Sequence, residues 1–131
     1  MNLGFGRLVV LTVVFCFPSV SLQASDISDE LIAEFQTKAA EVLSAERGAA
    51  LWVRDFDGRS CTTCHTESLY GTGRHPKTGK IIEPMAPSVN PERLSDERKV
   101  KKWLLRNCKW TLGRVCTAKE KGDVVLWLSQ Q

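Results

Sequence analysis

The chain has 131 residues with 18 basic and 15 acidic side chains, a net charge of +3, and five cysteines. That length is one domain, and a charge so near neutral excludes a general nucleic-acid binder. A chain of this size buries only a modest apolar core, so a cofactor or a cross-link has much to add.

The first 24 residues read as an export signal. Arg7 supplies the single positive charge, Leu8 to Phe17 is an unbroken apolar run, and Leu22-Gln23-Ala24 is a small-residue cleavage site. The apolar run is too short to cross a bilayer, although an uncleaved anchor is the competing reading. Cys16 lacks the small residues of a lipoprotein signal before it. A cut after Ala24 leaves a mature domain, 25–131, with 17 basic and 15 acidic residues and with Cys61, Cys64, Cys108 and Cys116. An exported chain lies in the periplasm, an oxidising space where a spare cysteine pair becomes a disulfide.

Ser28 reads as an N-cap with Asp29 and Glu30 in the first turn. Leu31, Ile32, Phe35, Ala39, Val42 and Leu43 follow at helical spacing, so the pattern predicts a helix over about 29–43. Ser44 offers a second N-cap for a helix over 45–53. Gly48 inside it costs about 1 kcal/mol against Ala, which suggests either a close crossing with another helix or a bend between two short helices. The terminal helix with Trp127 is one partner for such a crossing, with independent core positions the competing reading.

Residues 55–60 form a loop, and Leu69 to Lys80, with three glycines and a proline, reads as exposed loop. Glu83 to Pro91 holds three prolines and is expected to be extended rather than helical. Ser95 is the expected cap of a helix over 96–107, whose inner face would carry Val100, Trp103, Leu104 and Asn107. Its outer face carries Arg98, Lys99, Lys101, Lys102 and Arg106, suited to an acidic redox partner. Thr117 and Glu120 make a capping box for a last helix over 118–129. No strand-like alternation of useful length occurs, so the fold class is all-α.

The chemistry concentrates in Cys61-Thr62-Thr63-Cys64-His65. Two thiols three positions apart, with a histidine next, form a c-type haem attachment signature. Each thiol can add across a haem vinyl group, and the imidazole can bind iron from one side. A thioredoxin-like pair would need a βαβ setting, and a zinc site would need further ligands. Haem c held by Cys61 and Cys64, with His65 as proximal ligand, is therefore the expectation. Cys108 and Cys116 are then left for each other. The seven-residue ring between them would contribute about 2–3 kcal/mol.

From the residues alone three side chains compete for the other side of the iron. Met85 stands in a stiff proline loop, Asn107 on the apolar stripe of a helix, and His75 in an exposed loop. A thioether gives a closed electron-transfer site. An amide holds ferric iron weakly, leaves on reduction, and so opens a ligand site. Asn107 also has a plain reading as a helix C-cap.

Glu46-Arg47-Gly48, the haem signature, Thr78-Gly79-Lys80, Ala86-Pro87-Ser88, Lys102-Trp103-Leu104, Arg106-Asn107-Cys108, Gly113-Arg114 with Cys116-Thr117, and Leu126-Trp127-Leu128 together resemble the sphaeroides haem protein family. The resemblance runs over about 27–131. It implies a class I cytochrome c fold, high-spin haem, Asn107 as the displaceable distal ligand and a Cys108–Cys116 disulfide. It further implies a ferrous haem that binds O₂ and other small gases, with terminal reduction of such a ligand one use of the site. A dihaem cytochrome c is the implied electron donor, with a membrane cytochrome b upstream. Met85 stands where the family has Leu, and a closed His/Met electron carrier is the alternative.

Overall fold

The computed structural model describes residue 1 and residues 24–131. The expected signal peptide, 1–24, lies outside the described residues except at its two ends. Among the described residues five helices carry the fold: α1 (Ala24–Lys38), α2 (Ala45–Val53), the single turn α3 (Thr62–His65), α4 (Glu97–Thr111) and α5 (Ala118–Ser129). Two strands of two residues, β1 (Gly73–Arg74) and β2 (Ile81–Ile82), pair antiparallel with Gly73 opposite Ile82.

α1 both starts and stops earlier than the periodicity predicts. Ser28 is buried within it rather than capping it. The helix stops because Gln36 turns back on the following segment: its Oε1 accepts from the Leu43 N–H at 3.0 Å, and its Nε2 donates to the Glu41 carbonyl at 3.2 Å. Leu43 is thereby drawn into the core and Val42 is pushed out, 79% exposed. α2 starts as expected, with the Ser44 hydroxyl accepting from the Arg47 N–H. α5 carries both arms of the Thr117–Glu120 capping box.

The core is α5 laid across α1 and α2. Val124, Val125 and Leu128 of α5 pack with Leu31 and Phe35 of α1 and Trp52 of α2. The α2–α5 crossing is as tight as the glycine suggests. A Cβ on Gly48 would overlap the Asp123 carbonyl and press on Trp127 Cβ. Asp123, 3% exposed, ties the same crossing. It accepts from the Ser44 N–H at 2.6 Å and from Arg47 Nε at 2.8 Å and Nη2 at 3.1 Å. One backbone N–H, one guanidinium and one buried carboxylate are satisfied together.

α4 differs from expectation in cap, length and facing. Asp96, not Ser95, is the N-cap and accepts from the Lys99 N–H, while the Ser95 hydroxyl donates to the Glu92 carbonyl. The helix continues to Thr111. Its buried positions are Cys108 and Thr111, with Val100 and Leu104 against the core. That row rotates Trp103 to 49% exposure and leaves Asn107 exposed, whereas the sequence pattern assigned both to the inner face. Lys101 leaves the solvated face and joins α4 to α1 by pairing with Glu34, as well as with Glu97. The proline loop bends rather than running extended: Val89 and Asn90 N–H groups both donate to the Ala86 carbonyl, and Ala86 is fully buried.

Candidate haem site

A tight turn delivers the chain to the motif. Phe56 and Arg59 exchange both backbone hydrogen bonds, at 2.7 and 3.2 Å, in a two-residue hairpin around Asp57-Gly58. Ser60 then braces α3. Its N–H donates to Thr63 Oγ1 at 3.0 Å, and its hydroxyl lies 2.6 Å from Thr62 Oγ1. The two threonines between the cysteines thus hold the turn that presents both thiols. The His65 N–H donates to the Cys61 carbonyl at 3.1 Å, so thiols and imidazole share one helical turn. Thr66 ends it in the left-handed region at φ 62°, a strained place for a β-branched residue.

Gly73 of the hairpin seats against this turn. A Cβ there would overlap the Cys64 carbonyl and the His65 Cα. His75, at the hairpin end, is committed elsewhere. Its Nδ1 accepts from the Lys77 and Thr78 N–H groups, both at 3.3 Å, so the third sequence candidate for iron serves the turn instead.

Cys61 and Cys64 are free thiols, half-buried. Burial, then the neighbouring Cys64, pushes the Cys61 thiol up to about 11, and burial raises Cys64 as well. Burial, then the positive charge of Arg93, pulls His65 down to about 4. The imidazole is therefore neutral at ordinary pH, the state a metal requires. Among the described residues its Nδ1, which is buried, has no hydrogen-bond partner, nor has the indole Nε1 of Trp52, and the two rings lie 5.2 Å apart.

Arg93 was missed by sequence reasoning. It is half-buried, with Nε donating to the Pro84 carbonyl at 2.8 Å and Nη2 to the Glu83 carbonyl at 2.6 Å. The same loop is tied to the motif side because the Met85 and Ala86 N–H groups donate to the Leu69 carbonyl at 2.8 and 3.0 Å. Met85 therefore travels with the segment that holds Arg93 near His65. Asn107 stands apart from it on α4, in one row with Trp103 and Trp110. Trp110 lies under the Arg59 guanidinium at 5.7 Å, which brings this row against the approach to Cys61. The next residue, Cys108, is buried with its Cα 5.6 Å from that of Cys116, a separation that a disulfide spans.

Haem fits this donor set. Two thiols and a neutral imidazole on one turn can hold it from one side, and the row through Asn107 can cover the other. Among the described residues no three His, Cys, Asp or Glu side chains gather where a bare metal ion could sit.

A family described as a domain of unknown function, DUF1924, matches residues 38–128. The cytochrome c-type protein SHP of Cereibacter sphaeroides is 39% identical over 130 residues, 95% of this chain and 98% of that protein. A solved structure of oxidised SHP, described as an oxygen-binding cytochrome c, superposes with a TM-score of 0.75 at 42% identity, covering 79% of this chain and 96% of that one. The crystal structure of oxidised cytochrome c″ from Methylophilus methylotrophus gives a TM-score of 0.73 at 27% identity, over 81% and 95%.

Proposed function

Because the chain belongs to the sphaeroides haem protein family, all-α c-type cytochromes with one covalently bound haem c, we propose that it is a periplasmic protein that accepts an electron and then binds a small ligand such as O₂. The haem supplies an iron that changes oxidation state by one electron and takes such a ligand. Cys61 and Cys64 carry the thioether bonds, and His65 is the proximal ligand. Asn107 is the displaceable distal ligand. Its amide is a hard, weak donor that suits ferric iron and lets go of ferrous iron. Cys108 and Cys116, joined as a disulfide next to it, fix the end of α4.

The observation that carries this reading is the facing of α4. Asn107 is exposed on a row that meets the approach to Cys61 through Trp110 and Arg59. Met85, by contrast, is tied by its backbone to Leu69 in the loop that Arg93 braces. An export signal at 1–24 delivers the chain to the compartment where haem is attached. The electron comes from a dihaem cytochrome c, fed by a membrane cytochrome b, and Arg98, Lys99, Lys102, Arg106 and Lys109 face an acidic donor surface.

Carbon monoxide added to the reduced holoprotein tests the assignment. The expected result is rapid uptake, a high-spin ferric spectrum that changes in Asn107→Ala, and an unchanged spectrum in Met85→Leu. A Met–iron charge-transfer band with no uptake of CO would overturn it in favour of a closed electron carrier.

A further inference from the structure

The rings of His65, Trp52 and Trp127 form an unbroken file. His65 and Trp52 have centroids 5.2 Å apart at 38°, and Trp52 and Trp127 have centroids 5.6 Å apart at 57°. Both gaps lie within the contact range of aromatic pairs, so adjacent π systems touch. Trp52 is buried at 5% exposure, whereas Trp127 is only partly buried and reaches the surface of the α2–α5 crossing. Gly48 makes this possible. The missing side chain lets Trp127 Cβ come down beside α2, one turn from Trp52.

We propose that Trp52 and Trp127 are an electron relay that refills an over-oxidised haem from the protein surface. This rests on haem attachment at Cys61, Cys64 and His65. The oxidant is a peroxide, a hazard for any haem that handles O₂. With haem attached, the peroxide would take two electrons, one from the iron and one from Trp52, and with two protons from solvent leave as two waters. Trp127 then passes two electrons inward one at a time, the first restoring Trp52 and the second reaching the iron through Trp52, and a one-electron reductant such as ascorbate returns both to Trp127. An oxidised indole normally loses its N–H proton to the nearest acceptor and is trapped as a neutral radical. Trp52 Nε1 is buried and finds no hydrogen-bond partner among the described residues. Its electron deficit keeps the proton, stays strongly oxidising and passes outward to Trp127.

A file of aromatic rings can also be plain core packing, and the two roles separate under peroxide. The ferric holoprotein is treated with hydrogen peroxide. Rapid-freeze EPR then identifies the radical, and peptide mass spectrometry locates the oxidised tryptophans. Wild type is expected to give a tryptophan radical and oxygenated Trp127. In Trp52→Phe, Trp127 oxidation falls several-fold and the Soret band bleaches several-fold faster. In Trp127→Phe, the radical persists longer on Trp52. Trp103 and Trp110, on the α4 row rather than in the file through Trp52, are oxidised equally in all three proteins and serve as the internal standard. The relay is overturned if Trp127 is oxidised equally with and without Trp52, or if wild type forms no tryptophan radical. The starting Soret intensity of each variant reports haem attachment separately.

Discussion

Arg47 reaches across the α2–α5 crossing and grips Asp123 through both Nε and Nη2, 76 residues away in sequence. The carboxylate also accepts from the Ser44 N–H, so the helix cap and the ion pair share one buried acceptor. Asp123→Ala would leave the Ser44 N–H unpaired and is expected to cost about 2–4 kcal/mol, since deleting one partner of a buried pair leaves the other uncompensated. Arg47→Ala, which removes only the more exposed partner, costs less. Denaturant unfolding of the holoproteins orders the two variants; equal losses would mean that the buried carboxylate is not the anchor.

Arg93 places a positive charge close to His65, fixed by two backbone carbonyls. A cation beside the iron disfavours the more positive ferric state. Arg93→Gln should therefore lower the reduction potential. A partly screened unit charge is worth on the order of 1 kcal/mol, or about 40 mV for one electron. Arg93→Lys should keep most of the potential. A spectroelectrochemical titration in which Gln and Lys give the same value would show that the loop geometry, rather than the charge, matters.

Replacing Cys108 and Cys116 together by Ser should cost about 2–3 kcal/mol if the pair is bonded, as expected for a small ring. The spectroscopic outcome is more telling. Asn107 immediately precedes Cys108, so a loosened helix end should shift the ferric spectrum towards that of Asn107→Ala. Thiol titration of the unfolded, unreduced protein gives an independent reading, with no free thiol expected from these two residues.

Glu120 lies below its ordinary value of 4.5, first through its hydrogen bond to Arg114 and also through the Thr117 N–H. A depressed folded-state value means that ionised Glu120 stabilises the fold above about pH 4.5 and that the contribution is lost as pH falls through the depressed value. Glu120→Gln should therefore lower the melting temperature at pH 7, and the gap to wild type should narrow as the pH falls below 4.5. A gap that persists in acid would show that the capping geometry acts without the charge.

The local signals in the chain were the legible ones. Ser44, the Thr117–Glu120 box and the haem signature all act within four residues, and each stands where the pattern puts it. Gly48 was legible as a close contact because a glycine inside a helix is costly unless something needs the space. The end of α1 was not legible, since it is set by Gln36 folding onto Leu43 across seven residues. The facing of α4 was also misassigned. Trp103 and Asn107 fit an apolar stripe by spacing, but Cys108 and Thr111 take the core, and no periodicity count weighs a small buried cysteine against a tryptophan. Arg93 and the Trp52–His65 contact are long-range relationships that leave no trace in local pattern.

Gly73 rests on the backbone between Cys64 and His65 without room for a methyl group. The peptide that joins Cys64 to His65 is thus clamped from outside by a segment further along the chain. Any side chain at position 73 would have to displace either β1 or that peptide, so the width of one glycine sets how rigidly the motif is held.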